Sequence, residues 1–308
     1  MLETIYIVRH GFRSNWVVSN SGSYDATIKS PTGIPSDPPL TSYGVDQAKQ
    51  LGAHLAGLPA RPQQIYSSPY YRCLQTAEPI AKALGVGIQG IDGGIAEWFG
   101  VAPFDHPPPP TAELLSSFFP ILNTAYTQII TPAARGETMA QVHDRAAYAL
   151  TRLITHVDET YPDVTAIVLV SHAATVIAAG RALVGDPEMS VGAGTCSCSV
   201  YKRRDPSFAA EWVDVDGKEV PRTGTLDLNQ RTVPVLPWRG KGVLGGWSCE
   251  VNGDCSFLAG GEERNWWFDG DEAWDFSIAK GTGVEKTLAE VEVKTGDGAA
   301  GRAEHAKI

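Results

Sequence analysis

The sequence predicts an α/β fold: a mainly parallel sheet flanked by helices, with a small β-rich appendage at the C-terminal end. Three observations carry this expectation. Short apolar runs with β-branched residues occur at Thr4–Val8 (TIYIV), Gln63–Ser68 (QQIYSS) and Thr165–His172 (TAIVLVSH), and read as buried strands. The second and third lead into segments of helical period, and alternation of strand and helix implies a parallel arrangement. After Tyr201 the character changes: six of the eight tryptophans (Trp212, Trp238, Trp247, Trp266, Trp267 and Trp274) fall there.

Taken in order, TIYIV opens the sheet. From Ser14 to Pro39 the chain is dominated by Ser, Gly, Pro and Asp, which predicts a long loop of the kind that lines active sites. Thr41 suits the N-cap of a helix over Ser42–Leu58, whose Val45, Ala48, Leu51 and Leu55 share a face. After the second strand, YYRCLQTAEPIAKALG reads as a helix closing on Gly85, with Pro79 implying a kink or a late start. DHPPPPTAE (Asp105–Glu113) is a stiff polyproline-like connection before more helix. A long helix spans Thr138–Tyr161, with Val142, Ala146, Leu150 and Leu153 at suitable spacing, and AATVIAAGRALVG forms another after the third strand.

These elements place one domain over residues 1–204. A small Trp-containing β domain is expected over 205–282, where Asn252–Gly253 signals a hairpin, and a flexible tail over 283–308. The net charge of −10 divides unevenly: 14 basic and 16 acidic side chains precede residue 205, and 11 and 19 follow, giving −2 and −8. An acidic chain speaks against direct nucleic-acid binding. No stretch reaches membrane-spanning length and no signal segment opens the chain, so a cytoplasmic or nuclear location is expected. The five cysteines have no zinc-ribbon spacing and read as reduced structural thiols.

Four pieces carry chemistry. Arg9-His10-Gly11 ends the first strand, where open α/β sheets place ligands. Cations beside an imidazole keep it neutral and nucleophilic, and the forks of Arg9 and Arg13 suit phosphate oxygens. Gly11 allows a tight turn through which backbone amides can approach an anion. SSPYYRCLQTA puts Arg72 on the first turn of a helix, whose amides also favour phosphate. His172 ends the third strand as His10 ends the first. Glu97, in GIAEWFG, stands between apolar neighbours that could raise its pKa towards that of a general acid, with Asp92 and Glu137 as competitors for that role.

Together these pieces resemble the histidine phosphatase superfamily, whose signature is the R-H-G triplet; DPPLTSYGVDQAKQLG (Asp37–Gly52) is similar to another of its segments. The resemblance covers residues 4 to 203. Arg13, the SP-x-x-RC-x-QTA form and Glu97-Trp98 bring it nearest the phosphatase branch that includes suppressors of T-cell receptor signalling and ecdysteroid-phosphate phosphatases. It implies a phosphoglycerate mutase-like fold and a phosphoric monoester hydrolase without metal or other cofactor. His10 would attack phosphorus and become phosphohistidine, Arg9, Arg13, Arg72 and His172 would bind the non-bridging oxygens, and Glu97 would act as acid and then base. The Trp-rich C-terminal part, with SFLAGGEERNW, resembles fungal tau-subunit proteins of the RNA polymerase III initiation factor. That resemblance implies an alternative, a phosphatase-like architectural subunit docking a protein partner through its C-terminal β region.

A mutase is less favoured, since no basic lid segment is visible. The substrate stays open between phosphotyrosine in a peptide, a small metabolite and a secondary-metabolite phosphate. Trp16, Trp98 and Phe99 are candidates to stack on an aromatic or steroid-like leaving group.

Overall fold

The computed structural model describes residues 1–19, 22–208 and 212–268. Its strands are β1 (Thr4–Arg9), β2 (Trp16–Val18), β3 (Tyr24–Ala26), β4 (Gln64–Ser67), β5 (Ile88–Ile91), β6 (Ile130–Thr131), β7 (Ala166–Ser171), β8 (Cys198–Arg203), β9 (Leu226–Asp227) and β10 (Trp247–Asp254). The helices are α1 (Ser42–Ala56), α2 (Tyr71–Leu84), α3 (Ala112–Phe118), α4 (Met139–Thr160) and α5 (Ala173–Val184). One six-stranded sheet in the order β10-β8-β1-β7-β4-β5 forms the centre. The β1/β7, β7/β4 and β4/β5 pairs are parallel, while β8 and β10 close the other edge antiparallel.

The central strands are buried along both faces and largely apolar, because both faces of the sheet are covered. Ile5, Ile7, Ile167 and Leu169 pack with Leu150 and Leu153 of α4 and Val176 and Ile177 of α5. Tyr6, Val8, Val168 and Val170 point the other way, onto Ala48, Leu51 and Leu55 of α1 and Leu74, Ala77 and Ile80 of α2. Caps set the helix boundaries: Thr41 accepts from the Gly44 amide at 3.1 Å, and Thr138 with Gln141 forms a capping box. Left-handed Gly85 (φ 71°) and Gly185 (φ 89°) end α2 and α5. Pro79 neither ends nor delays α2, which runs through it.

The C-terminal part departs from expectation. Among the described residues it is not a self-contained β unit: β10 is the edge strand of the central sheet, and Trp238 and Trp247 are buried in the core shared with α4 and α5. Asn252–Gly253 makes no hairpin turn. It lies within β10 at a register shift, where the Asn252 side chain bonds the Gly192 amide (2.9 Å) and the Ser190 carbonyl (2.8 Å). Gly253 (φ 62°) is there because a Cβ would meet the Gly192 Cα at 2.5 Å. The expected tail over 283–308, and Trp274 of the expected β domain, lie outside the described residues. Among the described residues no helix is long and apolar enough to cross a membrane.

Candidate active site

The residues singled out from the sequence gather at the carboxyl ends of β1, β4 and β7. Parallel register does this: Arg9 pairs with Ser171, the His10 amide donates to the Ser171 carbonyl (2.9 Å), and the Ser68 amide donates to the Val170 carbonyl (2.9 Å). The chains then diverge into loop or helix with their first side chains side by side. The His10 and His172 rings meet edge to face at 5.3 Å.

His10 is buried, and its Nδ1 lies 2.8 Å from the Gly11 carbonyl oxygen. That oxygen only accepts, which assigns the proton to Nδ1 and the lone pair to Nε2. Burial holds the His10 pKa well below the ordinary imidazole value, and Arg72, His172, Arg9 and Arg13 push it further the same way. His172, also buried, has Nε2 2.7 Å from Ser68 Oγ and Nδ1 3.2 Å from Glu97 Oε2. Burial is the main reason its pKa falls to about 4, against the pull of Glu97.

Arg72 is fully buried on the first turn of α2, lying 4.8 Å over the Tyr70 ring. Its Nη1 donates to Asp37 Oδ1 (2.9 Å) and the Ser36 carbonyl (3.1 Å), and its Nη2 to Glu97 Oε2 (2.8 Å). Among the described residues its buried Nε has no hydrogen-bond partner. Arg13, on a bridge to Leu40, donates from Nη1 to the Ser14 carbonyl at 2.9 Å. Burial, and then Arg72 and Arg9, lower its pKa to about 9 despite Glu97, a measure of how closely the cations crowd. Arg9 donates from Nη1 to the carbonyls of Ala193 (2.7 Å) and Arg264.

Glu97 follows a short turn, Gly93–Ile95, whose carbonyls are gripped from below. Arg145 Nη1 donates to the carbonyls of Gly93 (3.0 Å), Gly94 (3.1 Å) and Ala96 (3.2 Å), and Thr175 Oγ1 to that of Ala96 (2.7 Å). Of the three carboxylates weighed for an acid role, Glu97 alone stands with the histidines: an oxygen of Glu97 and a ring nitrogen each of His10 and His172 lie within 4.8 Å of one another. Glu137 is held by Arg145 at 2.9 Å. Asp92 accepts from the amides of Gly94 (2.7 Å) and Ile129 (2.6 Å) and from the Tyr126 hydroxyl (2.9 Å).

Several expectations need correction. The Glu97 carboxyl is not raised: burial does push it up, but His172, Arg72 and His10 outweigh burial and hold it well below the usual carboxylate range. The Gly11 amide donates to Thr76 Oγ1 (3.1 Å), and the residue is glycine because a Cβ would meet the Gly44 carbonyl oxygen at 2.6 Å. The first amides of α2, from Tyr71 and Arg72, go to the carboxylate of Asp37. Trp98 is core: it donates from Nε1 to the Glu137 carbonyl (2.8 Å) and packs on Trp266 and Phe268. Phe99 does join an aromatic group, stacked on His106 at 4.8 Å and edge-on to Tyr24. The Trp16 side chain lies outside the described residues.

Sequence reasoning missed Asp37 and Ser68 as partners of Arg72 and His172. Both stand inside the quoted segments DPPLT and SSPYYR, but a buried carboxylate in a Pro-rich loop leaves no periodic trace. The His10, His172 and Glu97 donors have the spacing of a cation site. Arg72 on the same carboxylate, with Arg9 and Arg13 nearby, already supplies positive charge there and opposes a further cation.

Residues 5–215 match the model of the histidine phosphatase superfamily (branch 1). The chain belongs to that superfamily. Among curated members and relatives, the Saccharomyces cerevisiae transcription factor tau 55 kDa subunit is 34% identical over 306 residues, 94% of this chain and 65% of the relative. The Drosophila melanogaster ecdysteroid-phosphate phosphatase is 33% identical over 121 residues, 32% of this chain and 16% of the relative. The chain thus spans less than two thirds of the length of either. Among solved structures, the ecdysone phosphate phosphatase from Bombix mori in complex with tungstate gives a TM-score of 0.48 at 20% identity, covering 68% of this chain and 96% of that one. A phosphoglycerate mutase from Bacillus anthracis gives 0.48 at 14% identity, covering 83% and 95%.

Proposed function

We propose that this superfamily member is a metal-independent phosphomonoesterase working through a phosphohistidine on His10. The observation that carries the reading is the His10 tautomer: with Nδ1–H directed to the Gly11 carbonyl, Nε2 keeps its lone pair amid Arg72, His172 and Glu97. In the first half-reaction Nε2 attacks phosphorus as the ester P–O bond breaks, and Glu97 gives its proton to the departing oxygen. In the second, water attacks phosphorus, Glu97 takes its proton, and the P–N bond breaks to return the lone pair to Nε2. Arg9, Arg13, Arg72 and His172 hold the non-bridging oxygens throughout.

Glu97 must be protonated for the first step, and the site supplies a reason for it to become so. Arg72 and His172, which hold the carboxyl low, are the groups that bind phosphate in this reading. A phosphate dianion that engages them adds its own negative charge beside Glu97. Burial then dominates and the carboxyl rises. The test is turnover of an aryl phosphate with EDTA present, quenched in acid and in base, for the wild type and His10→Ala. A base-stable, acid-labile phosphoenzyme in the wild type, lost in the variant, supports the reading. No phosphate release from the folded wild type over mildly acidic to neutral pH sinks it.

A second reading has its own support. Identity of 34% over 94% of the chain with a transcription factor tau subunit favours a role as a subunit of such a nuclear assembly, with protein partners. The two roles are compatible. Expression of the full chain alone and with candidate assembly subunits separates them: aggregation relieved by a partner favours the assembly role, and a stable monomer with good turnover counts against it.

A further inference from the structure

Well beyond residue 215, where the match to the superfamily ends, the chain returns to the candidate site. Residues 262–268 (EERNWWF) run beside Arg9 and Arg13 and are pinned along their length. The Glu263 carbonyl accepts from the Thr195 amide (3.0 Å), and Glu263 Oε2 from Gln47 Nε2 (3.2 Å). Asn265 Oδ1 accepts from the Ala193 amide at 2.9 Å. Trp266 and Phe268 pack on Trp98 at 6.2 and 5.4 Å, directly after Glu97 in the chain.

Arg264 is the centre of this segment. Its carbonyl accepts from Arg9 Nη1, the same nitrogen that donates to the Ala193 carbonyl, so two acceptors fix the rotation of the Arg9 fork. Its guanidinium lies 3.7 Å from the centre of the Phe12 ring, and Nη1 donates to the Arg13 carbonyl (3.3 Å) and to Asn15 Oδ1 (3.2 Å). One residue therefore holds the side chain of Arg9 and the main chain of Arg13. It does so with φ at 48°, a left-handed conformation that a residue with a long side chain keeps only when its contacts enforce it.

We propose that residues 262–268 form a strap that positions Arg9 and Arg13, so that phosphate affinity depends on a segment outside the superfamily's own span. The proposal rests on the phosphatase reading above. Arg264 and Asn265 are positioning residues: neither is asked to touch the reacting atoms. Long side chains held in advance lose less freedom when they bind an anion, which is how such a strap raises affinity.

The experiment is calorimetric titration of the full chain with inorganic phosphate, paired with aryl phosphate kinetics, for the wild type, Arg264→Gly and Asn265→Ala. Glycine accepts the left-handed backbone, so Arg264→Gly keeps the turn and the carbonyl to Arg9 while removing the clamp on Arg13. Asn265→Ala instead frees the strap from Ala193. Each is expected to weaken phosphate binding by about tenfold, with KM rising by more than kcat falls and the pH profile unmoved. Wild-type phosphate affinity and KM in both folded variants would overturn the strap alone. A wild type that binds no phosphate would overturn both the strap and the reading beneath it.

Discussion

Arg72 Nη2 and Glu97 Oε2 lie 2.8 Å apart, and the same carboxylate oxygen is 3.2 Å from His172 Nδ1. The carboxylate thus occupies two donors that, in the proposed function, serve the phosphate. This gives Glu97→Gln a double signature. Turnover of alkyl phosphates, whose leaving oxygen needs a proton, should fall by about 10²–10⁴-fold. Aryl phosphates with acidic phenols should lose much less, and phosphate affinity should hold or tighten because a competing negative charge is gone. Kinetics over a leaving-group series with phosphate titration checks this, and an equal loss across the series would argue against an acid role.

Asp37 is expected to matter for stability as much as Arg72 does. It is fully buried, takes Arg72 Nη1 at 2.9 Å, and accepts from the first amides of α2. Asp37→Ala leaves a buried guanidinium with one carboxylate in place of two and strips the cap from α2. The loss should be about 3 kcal/mol in urea unfolding. Asp37→Asn keeps an acceptor for the amides and should lose less. Equal, small losses in both would show that Glu97 alone suffices to balance Arg72.

What was legible in the sequence follows from where information sits in a chain. β1, β7, α1, α4 and α5 announce themselves by apolar runs or periodicity, because each buries one continuous surface. His10 and His172 were legible because they follow strands directly, and Arg72 because it opens the helix that follows β4. β8, by contrast, reads CSVYKR and β10 reads WSCEVNGD, strands that mix polar and apolar residues and whose antiparallel places, beside β1 and β8 in turn, are fixed by partners distant in the chain. The Asn252–Gly253 pair shows the same limit, since a glycine needed for close approach to Gly192 looks identical to one needed for a turn. Glu97 was legible as a position but not in its charge state, which is set by His172, Arg72 and His10, brought from distant segments.

Glu137 separates support from chemistry. Its carboxylate holds Arg145 at 2.9 Å, and Arg145 in turn binds the three carbonyls that precede Glu97. Glu137→Gln should cost about 2–4 kcal/mol of stability, because Arg145 is left buried with neutral partners only. In the variant that remains folded, the shape of the pH–rate profile should match the wild type. A profile that loses its acid-side or base-side limb would instead assign Glu137 a proton-transfer role.

The low pKa of His172 makes folding itself pH-dependent. In the unfolded chain the imidazole takes a proton near 6.5, whereas in the folded protein burial delays this to about 4. Between those values the unfolded state binds more protons, so stability is full above 6.5 and is lost as pH falls towards 4, by about 3 kcal/mol from this residue. His10, held low by burial and the same arginines, acts in the same direction. Asp92 acts in the opposite one: burial raises its carboxyl from 3.8 to about 6, so the folded state takes up that proton first and gains stability as pH falls through this window. Urea unfolding at several pH values in that range, for the wild type and His172→Gln, isolates the histidine. The wild type should lose stability more steeply than the variant on acidification, whatever their difference at neutral pH. Parallel curves would mean that His172 takes up its proton as easily in the folded protein as in the unfolded chain, and that burial does not keep it neutral.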